Sequence, residues 1–308
     1  VSGGVITVME LKPLRYFYEV ARLGSFTRAA ERLNLAQPAI SMAIRKLEEE
    51  LQLTLFHRRE RTISLTDEGR RLYAQAGKIL QAVSDAELEM QELKGLERGE
   101  VRVGIPSMLG SFYFPPILMA FRHRYPGLMF SVHEGGAVQL QQMLEKGELD
   151  LAVIESQQIP DMLEARAFLR EEMRVVVARE HPFACRSSVS LEEFFAEELA
   201  MFKPGYFHRK VLDRLAREVG CTPNIGFETN LVPLIRAIVK QGFGISTLLN
   251  MAVEDDPELV TLSFDQPILL DLCIAWRKGG YLSQANRAFV EFLQEASGFV
   301  VMDDTGQL

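Results

Sequence analysis

Ser25-Phe26-Thr27-Arg28-Ala29-Ala30-Glu31-Arg32-Leu33-Asn34-Leu35-Ala36-Gln37-Pro38-Ala39-Ile40-Ser41 is the stretch that decides the fold of the N-terminal region. Ser25 stands where an N-cap belongs, its hydroxyl able to accept from an orphan backbone N–H, and Phe26 to Leu33 form a short helix behind it. The small pair Ala29-Ala30 lets another helix cross closely. Asn34-Leu35-Ala36 breaks the run, and Pro38 starts the next helix, which extends to about Leu51 with Ile40, Ile44 and Leu47 turned inward. Two helices joined by so short a turn are a helix-turn-helix. Upstream, Pro13 fits the first turn of a preceding helix that carries Leu14, Phe17, Tyr18 and Ala21 on one face and ends at Gly24.

The inward set leaves Gln37, Pro38, Ser41, Met42 and Arg45 on the outer face of the third helix. Glutamine can pair bidentately with adenine, serine can donate or accept, and a helix N-terminus favours a nearby phosphate. Ser25 and Thr27, opening the second helix, join them as candidate DNA contacts. Leu55 to Leu65 reads as a β-hairpin wing with apolar ends and arginines at its tip, of which Arg58 and Arg61 are the candidates for backbone or minor-groove contact. Charge agrees with this reading. Met9 to Thr66 holds ten Lys/Arg against seven acids, a net +3, so the remainder of a chain of net charge −8 carries −11. A basic head on an acidic body is drawn to a polyanion with one end only, because attraction is screened within about 10 Å.

From Thr66, an N-cap followed by acidic Asp67-Glu68, a helical pattern continues to about Leu96 without a proline. Gly69, Leu72, Ala76, Ile79, Val83, Ala86, Met90 and Leu93 recur at spacings of three and four, and Leu72 to Leu93 of this set are the expected seam of a dimer. Beyond Glu97-Arg98-Gly99 strands and helices alternate: Val101 to Ile105 a strand, Pro115 to His123 a helix, Leu128 to His133 a strand, Val138 to Lys146 a helix, Leu149 to Ile154 a strand, and Met173 to Ala178 another. This is α/β organisation with mostly parallel strands. Ligands bind at the carboxyl ends of such strands, so Pro106-Ser107, Glu134-Gly135-Gly136 and the loop after Ile154 are expected to face one crevice.

Composition narrows the function classes. With 308 residues, 47% hydrophobic and 25% charged, the chain suits two or three globular units, and no run approaches the ~18 uncharged apolar residues of a membrane span. Val1 to Val8 lacks a basic start and reads as an added or flexible extension before Met9 rather than a secretory signal, so a cytoplasmic location and no membrane partner are expected. Cys185, Cys221 and Cys273 form no C-x-x-C pair and read as buried free thiols; the five histidines are scattered, and no metal site or cofactor is expected. No G-x-S-x-G, P-loop or G-x-G-x-x-G run supplies catalytic apparatus, so the chain is not expected to be an enzyme. A solute-binding transport component would need a signal peptide and would not carry the helix-turn-helix.

The run Phe26 to Ser41, with Ile44, Leu47-Glu48, Leu51, Leu55-Phe56, Arg58, Arg61, Leu65-Thr66 and Gly69, resembles the head motif of the LysR-type transcriptional regulators. Met42 departs from the polar or basic residue that many members carry there. Val103-Gly104-Ile105-Pro106, Tyr125-Pro126, Gly147 to Val153, His181 to Ala184 and Gly242 to Ile245 are similar to the family's periplasmic-binding-protein-like effector domain. The resemblance implies a winged helix-turn-helix at 9–66, a dimerising linker helix at 67–96 and an effector-binding domain at 97–308. Within the last, subdomain I takes about 101–170 and 268–299, and subdomain II about 171–266. It also implies a small-molecule effector in the cleft between subdomains, a small organic anion being the expected class. That ligand would touch Ser107, Met108, Gly135, Gly136, Lys203, Tyr206, Phe207, Thr229 and Asn230, with Ser107 the leading candidate. The implied partners are double-stranded promoter DNA, further copies of the chain in a dimer or a tetramer built as a dimer of dimers, and RNA polymerase.

Overall fold

The computed structural model describes residues 9–59, 62–92 and 99–298 of the chain, which divides between Gln91 and Glu92 into two compact units. The first holds α1 (Leu11–Leu23), α2 (Phe26–Leu33), α3 (Gln37–Leu51), a hairpin of β1 (Phe56–Arg59) and β2 (Thr62–Leu65), and α4 (Asp67–Glu92). Helix α1 starts at Leu11, ahead of Pro13. The proline therefore sits in the first turn, where its missing N–H has no intrahelical acceptor to lose. Ser25 caps α2 as the sequence suggests, its hydroxyl accepting from the Arg28 backbone N–H at 3.3 Å. Asn34 takes the left-handed conformation (φ 51°) that ends α2, a geometry asparagine tolerates better than most residues.

Leu14, Phe17, Val20, Ala29, Ala30, Ile40, Ile44, Leu47, Leu55 and Phe56 form one buried core. Phe56 anchors it, its ring 5.3 Å from Phe17 and 5.8 Å from Phe26. The wing is fixed to α3 by Glu48, whose carboxylate accepts from the Leu55 and Phe56 N–H groups at 2.8 and 3.3 Å. Thr66 closes the hairpin and opens α4: its hydroxyl donates to the Thr54 carbonyl at 2.7 Å and accepts from the Gly69 N–H at 2.9 Å. A Cβ on Gly69 would lie 2.1 Å from the Leu55 carbonyl oxygen, so the helix can approach the wing only with glycine there. The first turns of α4 belong to this unit. Ala76 is buried in the same core, Leu72 and Tyr73 pack on it, and Tyr73 stacks on Tyr18 at 4.7 Å. Two members of the expected dimer seam, Leu72 and Ala76, are thereby spent on the chain's own core.

The second unit comprises β3 (Gly99–Ile105), α5 (Ser107–Phe112), α6 (Phe114–Arg124), β4 (Leu128–Glu134), α7 (Ala137–Glu145), β5 (Leu151–Glu155), β6 (Leu163–Ala178), β7 (Ser188–Val189), α8 (Leu191–Ala196), β8 (Glu198–Met201), α9 (Phe207–Glu218), β9 (Asn224–Glu228), α10 (Val232–Lys240), β10 (Ser246–Leu249), β11 (Leu259–Phe264), β12 (Ile268–Arg277) and α11 (Gln284–Ser297). The sheet runs β4-β3-β5-β12-β6-β11-β7, with β10 also on β6; β8 and β9 pair separately. The expectation of mostly parallel strands needs correcting. β3 is parallel to β4 and β5, and β8 to β9, but β12 is antiparallel to β5 and β6, and β6 is antiparallel to β10 and β11.

The reason is that two long strands carry the chain between two lobes in opposite directions. The 16-residue β6 pairs over Leu163 to Met173 with the whole of β12 and over Met173 to Ala178 with β10 and β11. The lobe boundary expected near residue 170 thus falls inside one continuous strand, and Ile268 to Leu270 of β12 pair with Met173 to Glu171 on the second-lobe side. The two crossing strands are the covalent hinges. Aromatic packing of Phe121 with Phe289, Phe292 and Phe130 ties α6, α11 and β4 in the first lobe. Of the thiols, Cys273 is buried and Cys221 half-buried, but Cys185 is exposed, contrary to the expectation of three buried cysteines.

Candidate functional site

Helix α3 presents its outer face as the sequence suggests. Gln37, Pro38, Met42 and Arg45 are exposed, Ser41 is half-buried, and Met42 at 70% is the most exposed large apolar side chain among the described residues of the first unit. Ser25 is half-buried with its hydroxyl already accepting in the cap, and Thr27 is exposed one residue beyond Phe26. Neighbouring cations already have partners: Glu19 pairs with Arg22 at 2.9 Å and Arg32 at 3.4 Å, Lys46 pairs with Glu50 at 3.4 Å, and Arg28 donates to the Leu23 carbonyl. Arg45 has no acid within ion-pairing distance among the described residues, so its charge stays available to a phosphate or a base edge. Arg58 lies on β1 opposite Ile63; Arg61 lies outside the described residues.

In the second unit a cavity of about 720 Å³ opens between the lobes. Ile105, Ser107, Val132 and Glu134 line it from the first lobe, and Lys203, Tyr206, Thr229, Asn230 and Leu231 from the second. Five of the nine residues singled out from the sequence meet here: Ser107, Lys203, Tyr206, Thr229 and Asn230. Their chemistry is donor-rich. The Ser107 hydroxyl is buried and has no hydrogen-bond partner among the described residues. The Asn230 side-chain oxygen accepts from the Lys203 backbone N–H at 3.0 Å and so orders that loop, while the Lys203 ammonium pairs with no acid among the described residues. Tyr206 donates across the lobes to Glu134 at 3.1 Å; burial, and then the Glu134 carboxylate, push its phenol up to about 12, so it remains a donor.

Four expected contacts fall elsewhere. Met108 is buried, and its sulfur accepts from the Leu249 N–H at 3.4 Å, so it packs behind the cavity. Phe207 is buried beside His208, ring centroids 4.4 Å apart. Gly135 and Gly136 are buried, and a Cβ on Gly136 would lie 2.6 Å from the Gly205 carbonyl oxygen: this glycine lets the two lobes touch backbone to backbone. The loop after Ile154, contrary to expectation, faces not this crevice but a second one, where Glu155 pairs with Lys210 of α9 at 3.2 Å. The ends of neighbouring parallel strands diverge to opposite sides of that glycine contact. The sequence reading missed Ser111 and Leu231 to Pro233 as cavity lining; Pro233, in the first turn of α10, was the available signal that a helix start faces the cavity.

Among the described residues, no helix is long and apolar enough to cross a membrane and no group of three or more His, Cys, Asp or Glu could hold a metal ion.

Residues 11–70 match the family model described as bacterial regulatory helix-turn-helix protein, lysR family, and residues 94–298 match the LysR substrate binding domain. The chain is 34% identical to the uncharacterized HTH-type transcriptional regulator YcgK of Bacillus subtilis, covering 94% of this chain and 95% of that one. It is likewise 34% identical to the RuBisCO operon transcriptional regulator of Allochromatium vinosum, covering 94% and 97%. A full-length OxyR variant from Pseudomonas aeruginosa superposes with a TM-score of 0.74 at 25% identity, over 93% of this chain and 95% of that one. A DNA-reading head, a two-lobed ligand unit and relatives matched along nearly their whole length make this chain a member of the LysR family of bacterial transcriptional regulators.

Proposed function

We propose that α3 enters the major groove of duplex promoter DNA through Gln37, Ser41 and Arg45, with Pro38 and Met42 making apolar contact to base edges and the wing arginines Arg58 and Arg61 holding phosphate. Ser25 and Thr27 at the start of α2 contact the backbone. The function is regulatory rather than catalytic, exercised in the cytoplasm, with RNA polymerase as the downstream partner.

The ligand is a small organic anion held in the interlobe cavity. One observation carries this reading: the Ser107 hydroxyl is buried on the cavity wall without a partner among the described residues. Leaving such a group unsatisfied costs about 1–3 kcal/mol, which a ligand oxygen would recover. Lys203 supplies the cation, Thr229 and Asn230 further polar groups, and Ile105, Val132 and Leu231 an apolar wall. Ligand contacts to both lobes would bias their closure about β6 and β12, and that closure is the element through which binding alters the heads.

Self-association uses the remainder of α4. Ile79 and Met90 are exposed, with Val83 and Ala86 between them at spacings of three and four; Leu93 lies outside the described residues. Two-fold symmetry then calls for a roughly palindromic operator, and a second contact between dimers for a tetramer. The test is a thermal-shift screen of the full chain against small carboxylates, followed by operator footprinting and transcription with and without the compound that shifts it. A stabilising carboxylate that changes footprint or output supports the reading; no shift from any of them, or identical output in both states, overturns it.

A further inference from the structure

The crevice on the other side of the Gly136–Gly205 contact has a composition the cavity lacks. It is about 120 Å³, lined by Glu155 and Gln157 from the first lobe and by Lys210, Val211, Arg214 and Arg217 from the second. Lys210, Arg214 and Arg217 stand at positions i, i+4 and i+7 of α9 and so share one face of the helix. Three cations meet a single lining acid, on a body whose overall charge is strongly negative.

The partners of these cations leave their charge only partly used. Glu155, 15% exposed, holds Lys210 at 3.2 Å. Arg214 meets Glu218 only at 3.8 Å, both side chains being about half exposed, a pair that contributes little. Arg217 donates from Nε to the Asp213 backbone carbonyl at 3.0 Å and has no carboxylate partner among the described residues. By contrast Arg209, on the neighbouring face, is consumed by Asp213 and Glu228. Two guanidinium forks therefore remain open toward a concavity the size of one small anion.

We propose that this crevice is a second anion site, distinct from the effector cavity, which takes a tetrahedral oxyanion: free phosphate or the phosphoryl group of a small metabolite. Planar guanidinium forks match phosphate oxygens bidentately, and the compact volume excludes a large organic body from the pocket itself. The anion competes with Glu155 for Lys210. Since Glu155 belongs to the first lobe and Lys210 to the second, occupancy exchanges a direct interlobe ion pair for one bridged by the anion. The site therefore reports phosphate status to the same hinge that the main ligand moves.

The test uses the full chain, titrated with inorganic phosphate at constant ionic strength and followed by phosphate-resonance broadening and thermal shift, with chloride as the control. Glycerol phosphate is titrated in parallel to separate a phosphate monoester from the free ion. Saturable binding that falls roughly tenfold or more in the Arg214→Gln, Arg217→Gln double variant, and is unchanged in Lys203→Gln in the main cavity, supports the site. Tighter binding of glycerol phosphate than phosphate identifies the monoester as ligand, and the reverse identifies the free ion. Binding lost in Lys203→Gln but retained in the double variant, or no saturable binding at millimolar phosphate, overturns it. The variants replace exposed side chains, and a wild-type unfolding transition in each confirms that folding is not the cause.

Discussion

The two units solve opposite problems with the same residue types. In the head, hydroxyl and carboxylate groups at element ends are used up internally: Ser25 caps α2, Glu48 holds the wing, and Thr66 both donates and accepts. What remains points outward on α3. In the ligand unit the situation is reversed, for the Ser107 hydroxyl is buried and unpartnered among the described residues and the Lys203 ammonium faces a cavity. A surface that reads a rigid duplex gains from complete internal satisfaction, because every mobile group costs entropy on binding. A cavity that must respond to a ligand gains from groups the free protein leaves unsatisfied, because only differential contact shifts an equilibrium.

The strongest way to break the comparison is to remove the anchor of one unit. Phe56→Ala should cost the head about 3–5 kcal/mol, abolishing operator binding, while the ligand unit keeps its own cooperative transition in calorimetry. A single merged loss of both transitions would show that the units do not fold separately. Next in size, Gln37→Ala should cost about 1–3 kcal/mol on operator DNA and much less on scrambled duplex in a titration of both. An equal loss on both sequences would remove glutamine from base readout.

A third test separates the units by pH. His208 is buried beside Phe202 and Phe207 with its Nε2 unpartnered among the described residues, and burial lowers its pKa from 6.5 to about 3. The unfolded chain takes up a proton below about 6.5 that the folded chain refuses, so stability is full above that pH and falls as the pH drops toward 3. The ligand unit should lose about 1.4 kcal/mol between roughly pH 7.5 and 5.5, measured by urea unfolding, and His208→Phe should flatten that dependence. The smallest effect is the sharpest contrast. Thr66→Ala should destabilise its unit by about 1 kcal/mol because a satisfied cap is lost, whereas Ser107→Ala should leave the unliganded protein as stable or slightly more so and reduce only the ligand-induced shift. Equal destabilisation by both substitutions would show that Ser107 already has a partner.

Legibility in the sequence followed the range of the contacts. Helices α1 to α3, the wing and both N-caps could be read from periodicity and cap residues, since Ser25 with Arg28 and Thr66 with Gly69 act across three positions of chain. The same method overextended the dimer seam, because a stripe at spacings of three and four does not say which chain will cover it; Leu72 and Ala76 went to their own core. For the cavity, Ser107, Lys203, Tyr206, Thr229 and Asn230 were nameable, but Met108 and Phe207 were not separable from them. Adjacent residues on a short helix or at a helix start face opposite ways, and only packing decides which way is inward.

The amino-acid sequence alone determined the family, the division into a DNA-reading head and an α/β ligand unit, and the outward face of α3, because these rest on local spacing and capping. Folding in three dimensions was needed to set β6 and β12 antiparallel through both lobes and to bring Gly136 against Gly205, which splits the lobe seam into two crevices. The same holds for Lys210 meeting Glu155 rather than the main cavity. Those facts join residues many positions apart, and no local preference of either partner carries information about a contact whose existence depends on the whole sheet being closed.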